Sequence, residues 1–146
     1  MGVAGSSPRS PKAPMSSRGS PLAPRVILLV DDDPGIRSIA GTILRDAGYA
    51  VIEANDGLQA WMVFRRDPGA FRMLVAEVVM PRMPGTELAA RVHELHPELP
   101  VVLMSGYTNA DLFARGLVAV QGGLVTKPFA AGTLVTAVRR ALGQQS

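Results

Sequence analysis

The sequence contains no cysteine, and it has no apolar run long enough to cross a membrane. The lack of cysteine excludes disulfides and thiolate chemistry, and the lack of long apolar runs leaves no transmembrane helix to propose. We therefore expect no membrane partner, while the lack of cysteine says little about the compartment. With 146 residues, 47% of them hydrophobic, the chain is long enough for one domain with a substantial core.

Residues 1–24 lack acidic side chains and have almost no large apolar residue before Leu22. Because such a segment cannot bury enough surface to offset its ordering entropy, we predict a disordered tail. It is interpreted as a flexible linker, as an overlong start with Met15 as the alternative, or as an anchoring arm for nucleic acid or an acidic membrane.

The positive charge of the chain is concentrated in this tail. Three of the 15 basic residues lie there, so the remaining 12 balance the 12 acidic residues of positions 25–146. The pI near 10.0 is therefore no indication that the domain itself binds nucleic acid.

From Arg25 onward, short apolar runs alternate with segments of helical periodicity. We predict strands at Val26–Val30, Tyr49–Glu53, Met73–Ala76, Pro100–Met104 and Leu124–Thr126. We predict helices that follow Asp33-Pro34, Asp56-Gly57 and Pro84-Gly85, and helices at Thr108–Leu117 and Ala130–Leu142. Five strands that are each followed by a helix indicate an open parallel sheet with helices on both faces, within a domain of residues 25–143.

Apolar residues at helical spacing give each helix a predicted apolar face. These residues are Ile36, Ile39 and Ile43 in the first helix, Leu58, Trp61 and Met62 in the second, Leu88, Val92 and Leu95 in the third, and Leu134 and Val138 in the last. His93 and His96 lie on or beside the third helix, and we expect both to be solvated.

Four of the predicted strands end in polar or ionisable residues. These are Asp31 and Asp32 after the first strand, Glu77 after the third, Ser105 after the fourth, and Thr126 and Lys127 after the fifth. Since ligands of open parallel sheets bind at the carboxyl ends of the strands, we expect these side chains to share one site.

The chemistry of this set is that of a cation beside a phosphate-like group. Three carboxylates suit a hard divalent cation such as Mg²⁺, and lysine and hydroxyl groups bind phosphoryl oxygens. Taken singly, Asp31–Asp33 suits a helix N-cap, Lys127 a solvated loop position, and Ser105-Gly106 a turn. Their joint placement on four strand ends favours a shared site.

Residues 25–142 resemble the receiver domain of two-component response regulators. The resemblance rests on the segments Val26–Pro34, Val78–Gly85, Met104–Thr108 and Thr126–Phe129, in that order and at the spacing of the family. The Met-Ser-Gly-Tyr-Thr segment looks especially like receivers attached to hybrid histidine kinases.

The resemblance implies an α/β fold, a flavodoxin-like (βα)5 sheet with strand order 2-1-3-4-5. It implies a Mg²⁺ site with Asp31 and Asp32 as the acidic pair and Asp32 as the direct ligand, completed by the carboxylate of Glu77 and the backbone carbonyl of Val79. Ser105 would be the hydroxyl that follows the phosphoryl group, and Lys127 its cationic partner. The Lys127–Pro128 peptide bond is expected to be cis.

Two positions depart from the family pattern. The phosphoacceptor aspartate falls on position 77, where this sequence has glutamate. Its carboxylate reaches further by one carbon–carbon bond, about 1.5 Å, and a misplacement of about 1 Å can reduce a rate on the order of 10²-fold. We therefore expect inefficient phosphorylation and weakened Mg²⁺ binding. Leu124 replaces an aromatic residue that swings inward in many receivers.

The sequence thus predicts a pseudo-receiver in phosphorelay signalling that acts as a protein-docking module and not as an enzyme. Expected partners are a histidine kinase, a phosphorelay protein or a downstream output protein. One alternative is a receiver still phosphorylated weakly, at Glu77 or at a substitute acid. Another is a metal-dependent phosphatase or phosphotransferase, for which Ser105 is the best nucleophile available. Nucleic-acid binding through the tail would require a steep salt dependence.

Overall fold

The computed structural model describes residues 26–107, 109–114, 116 and 124–143. Within them, five strands alternate with five helices. The strands are β1 Val26–Val30, β2 Ala50–Ala54, β3 Met73–Glu77, β4 Val101–Ser105 and β5 Leu124–Thr126. The helices are α1 Pro34–Asp46, α2 Gly57–Arg66, α3 Gly85–Leu95, α4 Asn109–Ala114 and α5 Ala131–Ala141, with a 3₁₀ turn at Pro68–Ala70 that was not predicted.

All strand pairs are parallel, and the order across the sheet is β2-β1-β3-β4-β5. The predicted flavodoxin-like fold and strand order are confirmed. Since the chain moves outward from β1 to β2 and then crosses to β3 on the other side of β1, the topological switch point lies between the carboxyl ends of β1 and β3. Asp31 follows β1 directly, and Glu77 is the last residue of β3.

The central strands are buried on both faces because helices cover both sides of the sheet. Every residue of β3 and of β4 is buried. One apolar cluster, which includes Phe64 and Leu88, lies on the face covered by α2 and α3. The other, which includes Leu44 and Leu134, lies on the face covered by α1 and α5. Polar groups at the ends of these strands therefore sit beside a water-poor interior.

Part of the prediction for the helix faces is wrong. Four of the residues assigned to apolar faces are about half exposed: Ile39 (55%), Leu58 (47%), Met62 (51%) and Leu95 (50%). In α1 and α2, the buried positions next to the sheet are instead taken by small residues together with one large one, as with Ala40 and Leu44. Small side chains let a helix backbone approach the sheet closely, so the inward face is not the face with the largest side chains.

The element boundaries agree with the prediction to within about one residue except in the fourth helix, where Asn109–Ala114 is described and part of the predicted Thr108–Leu117 lies outside the described residues. The predictions for residues 1–24 lie outside them as well, and the domain limits remain a prediction. Within the described part of the chain, no helix has both the length and the apolar character needed to span a bilayer.

Candidate functional site

Three charged side chains meet at the switch point of the sheet. The ammonium Nζ of Lys127 donates to Asp31 Oδ2 at 2.8 Å, and it also donates to Glu77 Oε1. These side chains are nearly enclosed, with exposed fractions of 1% for Asp31, 8% for Glu77 and 15% for Lys127. Buried carboxylates require such a partner, because an unpaired charge in this environment is strongly unfavourable. We call these three residues the acidic pocket.

The loop after β3 holds the second oxygen of Glu77. The backbone N–H of Val79 donates to Glu77 Oε2 at 3.0 Å, so both carboxylate oxygens have a donor. The chain then turns back, and the N–H of Gly85 donates to the carbonyl of Val78 at 2.8 Å. A Cβ on Gly85 would lie 2.2 Å from the carbonyl oxygen of Glu77, so only glycine fits this close approach.

The acidic run after β1 divides into three environments. Asp31 Oδ1 accepts from the N–H of Asp33 at 2.9 Å. The carboxylate of Asp33 caps α1 by accepting from the N–H groups of Gly35 and Ile36, as the sequence predicted. Asp32 is exposed and makes no side-chain hydrogen bond or ion pair with the part of the chain that the structure describes. The three aspartates therefore do not act as one cluster.

Lys127 is a charged ammonium held by its neighbours. Burial by itself lowers the pKa of Lys127, but hydrogen bonds to Asp31 and Glu77, and the negative charges of both, raise it by more. The net result is a pKa above the ordinary value of 10.5. At neutral pH, Lys127 is therefore protonated and stays bound to both carboxylates.

Ser105 comes close to the acidic pocket through its backbone. Its carbonyl accepts from the N–H of Lys127 at 2.8 Å, next to the Lys127–Pro128 bond, which is cis as the resemblance implied. Its buried hydroxyl accepts from the N–H of Tyr107 at 2.9 Å. Among the described residues, this hydroxyl has no bond to Glu77 or Lys127, so the structure brings Ser105 to the pocket's edge without joining it to the charged triad.

The side chains predicted to bind Mg²⁺ are carboxylates, whose chemistry suits the ion. Asp31 and Glu77 both face Lys127, while the carboxylate of Asp32 is exposed. No group of three or more acidic or histidine side chains within the described ranges is placed to hold a metal ion. An ion bound by Asp31 and Glu77 would therefore compete with the ammonium of Lys127, which bonds both carboxylates.

The prediction that both histidines are solvated holds only in part, because His93 and His96 are both partly buried. The Nε2 of His93 lies 2.9 Å from the carbonyl oxygen of Leu99, in the turn that follows α3. His93 lies near the carboxyl end of α3, at the opposite end of the helix from Gly85 and the acidic pocket. Its contact fixes the end of the helix and has no part in the site.

Two arginines that the sequence analysis did not single out contact the surroundings of the pocket. Arg37 Nη1 donates to the backbone carbonyl of Asp31 at 2.6 Å. Arg82, which has a φ of 66°, reaches from the loop after β3 to Asp56, the N-cap of α2, at 2.9 Å. Neither contact has a sequence signal, because a long side chain that binds a backbone carbonyl or a distant cap leaves no pattern of spacing.

A family model of the response regulator receiver domain matches residues 27–139. The chain belongs to the response regulator receiver family. Among curated relatives, this receiver is 35% identical over 120 residues to the sensor kinase CckA of Brucella abortus, a match that covers 82% of this chain and 13% of that protein. It is 31% identical over 116 residues to the response regulator receiver protein CpdR of the same organism, which covers 80% of this chain and 95% of CpdR. The chain thus spans a small part of one relative and nearly all of the other.

Solved receivers have the same fold. The receiver domain of the hybrid histidine kinase CckA superimposes with a TM-score of 0.66 at 30% identity, over 80% of this chain and 98% of that one. A receiver protein from Sinorhizobium medicae gives a TM-score of 0.73 at 27% identity, over 84% and 97%. The response regulator TrrA of Thermotoga maritima, solved in complex with Mg²⁺ and BeF, gives 0.67 at 25% identity, over 80% and 98%.

Proposed function

We propose that this receiver is a pseudo-receiver of a two-component phosphorelay. Glu77 stands at the phosphoacceptor position but is phosphorylated inefficiently, and the domain acts as a docking module for other signalling proteins. The proposal is carried by one observation: both oxygens of Glu77 are already bonded, one to the ammonium of Lys127 and the other to the N–H of Val79.

This bonding opposes the chemistry of phosphoryl transfer. An acceptor carboxylate attacks with an oxygen lone pair, and a donor bonded to that oxygen lowers its nucleophilicity. The extra carbon of glutamate lets Glu77 reach Lys127 directly, where an aspartate would be shorter by about 1.5 Å. The side chain is therefore held in a bonded position and displaced from the place that a shorter acceptor would take.

We propose that Mg²⁺ binds this pocket weakly, because the ion competes with Lys127 for Asp31 and Glu77. The Glu77→Asp variant withdraws one carboxylate from Lys127 and should bind Mg²⁺ more tightly. Isothermal calorimetry on the natural protein and on this variant compares the two affinities. Equal or tighter binding by the natural protein would show that Glu77 is a good ligand.

A docking role fits the outer face of β5 and α5. A groove of about 650 Å³ on this face is lined mainly by small and apolar groups, with Arg140 at its side: Leu124, Val125, Ala130, Gly132, Thr133, Thr136 and Ala137. The partner would be a histidine kinase, a phosphorelay protein or an output protein, and the setting cytoplasmic. The similarity to a receiver within a sensor kinase supports a partner of this class.

One alternative is supported by the position of Asp32. This carboxylate is exposed and has no side-chain partner among the described residues, so it is the acid best able to substitute for Glu77 in weak phosphorylation. A phosphatase or phosphotransferase is less well supported, because the hydroxyl of Ser105 is buried and bonded to a backbone amide.

The test is phosphorylation by a small donor. Incubation with acetyl phosphate and Mg²⁺ should leave the intact mass of the natural protein unchanged, whereas the Glu77→Asp variant should gain one phosphoryl group that hydroxylamine removes. The Glu77→Gln and Asp32→Asn variants are the controls. Rapid stoichiometric phosphorylation of the natural protein that Glu77→Gln abolishes would contradict the proposal. A phosphoryl group that persists in Glu77→Gln and is located on Asp32 by peptide mapping would establish the alternative.

A further inference from the structure

The guanidinium of Arg37, on α1, bonds two parts of the sheet at once. Its Nη1 donates to the backbone carbonyl of Asp31 at 2.6 Å, and its Nε lies 3.3 Å from Glu53 Oε1 on β2. Only 18% of the Arg37 side chain is exposed, so water competes little for these bonds. Arg37 thereby joins the carboxyl end of β1 to the edge strand.

The carbonyl that Arg37 binds belongs to the peptide between Asp31 and Asp32. This peptide lies just past the end of β1, where the last bond to the neighbouring strand, from the N–H of Asp31 to the carbonyl of Ala54, is 3.4 Å long. A bond of that length holds the backbone weakly. The direction in which the Asp31 side chain leaves the backbone therefore depends on a support outside the sheet.

Glu53 fixes Arg37 in turn. Its Oε2 is bonded to Arg45 Nη1 at 3.0 Å. The carboxylate is therefore held by two arginines of α1 that lie about two helical turns apart. Gly41 makes room for this arrangement, since a Cβ there would lie 2.8 Å from Glu53 Oε2 and 2.9 Å from Arg45 Nη1. A guanidinium with a fixed carboxylate partner offers its remaining N–H groups in a fixed direction.

We infer that Arg37 is a positioning residue for the Asp31 carboxylate. It fixes the peptide that carries Asp31, so that Asp31 Oδ1 meets the N–H of Asp33 and Oδ2 meets Lys127. Arg37 acts only through the backbone of Asp31 and bonds neither Lys127 nor Glu77 within the described part of the chain. The inference concerns the geometry of the pocket and holds whether or not Glu77 accepts a phosphoryl group.

The test compares Arg37→Met with Arg45→Met. Each variant removes one ion pair to Glu53, but only Arg37 bonds Asp31, so Arg45→Met is the matched control. The reporter is hydrogen exchange of the Asp33 amide, measured by NMR, because that N–H is donated to Asp31 Oδ1. Loss of a bond worth about 1.4 kcal/mol speeds exchange about tenfold, and we expect this in Arg37→Met and not in Arg45→Met. Amides of β3 should keep their natural rates in both variants.

Arg37→Lys separates charge from geometry. Lysine keeps the positive charge but cannot bond Asp31 and Glu53 with a rigid fork, so we expect it to leave Asp33 exchange fast. The inference would be overturned if the Asp33 amide exchanged in Arg37→Met at the rate of the natural protein. It would also be overturned if Arg45→Met accelerated that exchange as much as Arg37→Met does. If Arg37→Met does not fold, Glu53→Gln provides a second test, because loss of the ion pair that fixes the direction of Arg37 should weaken its bond to the carbonyl of Asp31. Acceleration confined to Asp33 supports the inference, and an unchanged rate there overturns it.

Discussion

Lys127 is the only cation that the described residues place on the carboxylates of Asp31 and Glu77. The sequence was sufficient to bring these three residues together, because each directly ends or follows a strand of a parallel sheet. It did not show the bonds that fix them, which come from the backbone amides of Asp33 and Val79. Such bonds depend on how the loops turn, and residue types alone do not determine that.

Replacement of Lys127 by methionine should strongly destabilise the protein at neutral pH. It leaves two buried carboxylates without their cation, a change that typically lowers the free energy of unfolding by about 3–5 kcal/mol. The matched control is Arg91→Met, which breaks the exposed pair with Glu87 on α3 and should lower it by less than about 1 kcal/mol. Urea denaturation measures both, and similar losses would show that the acidic pocket is no more than a surface ion pair.

The raised pKa of Lys127 predicts a loss of stability in alkali. A lysine whose pKa is higher in the folded state contributes stability that is fully present below its unfolded pKa of about 10.4 and is lost as the pH rises through the folded value. The excess unfolding free energy of the natural protein over Lys127→Met should therefore be constant from neutral pH to about pH 10 and shrink above it. An excess that grows with pH would contradict the assigned direction.

A direct check uses the rarity of lysine in this chain. Lys12 and Lys127 are its only two lysines, so a lysine-selective ¹³C label gives two titration curves. We expect the curve assigned to Lys127 by mutation to have its midpoint above the ordinary value of 10.5. A midpoint below that value would mean that burial outweighs the two carboxylates.

At the scale of elements, the strands were easier to predict than the helix faces. A strand buried on both sides, such as β3, is apolar along its whole length and can be recognised without its neighbours. The inward face of α2 is set by how closely the helix approaches the sheet, and the small Ala60 faces the core while Leu58 and Met62 do not. The spacing of apolar residues in the sequence does not reveal how closely a helix approaches the sheet.

Gly85 at the start of α3 and Gly132 near the start of α5 should respond in opposite ways, in stability, to replacement by alanine. A Cβ at Gly85 would meet the backbone of Glu77 at 2.2 Å, whereas one at Gly132, also in the first turn of its helix, meets nothing within 4 Å. Gly85→Ala should therefore destabilise the protein by about 1–3 kcal/mol, and Gly132→Ala should stabilise it by about 0.4–1 kcal/mol.

Thermal unfolding of both variants measures this contrast. The Gly85→Ala variant should also shift the amide signal of Val79, which is bonded to Glu77, because the added methyl group displaces the carbonyl of that residue. Equal stability of the two variants would show that the backbone of Glu77 yields to the methyl group.

At the scale of the whole molecule, an acidic pocket whose bonds are fixed predicts that the groove on β5 and α5 stays in one conformation. A ligand shifts a conformational equilibrium only by its differential affinity for the two states. Glu77 is held by Lys127, and the hydroxyl of Ser105 is bonded to the amide of Tyr107. Because both side chains already have partners, we expect beryllofluoride to change their positions little. The affinity for an identified partner should therefore be unchanged by beryllofluoride with Mg²⁺.

The Glu77→Asp variant is the control for that measurement, since it should regain a response to beryllofluoride. A large effect of beryllofluoride on the natural protein would show that its surface still switches. Glu77→Ala tests the glutamate itself: weaker partner binding would mean that Glu77 maintains the binding state, and unchanged binding would mean that it imitates no phosphorylated form.

The bond between Arg45 and Val51 also has a consequence for aggregation. The carbonyl of Ala54 accepts from Asp31 and so faces β1, and because carbonyls alternate along a strand, that of Val51 faces outward from the border of the sheet. Arg45 Nη2 donates to it at 3.2 Å. An incoming strand from another molecule would have to displace this guanidinium and disturb its pair with Glu53. Arg45 thus hinders the addition of a strand from another molecule to the open edge of β2, the step by which cross-β aggregates grow.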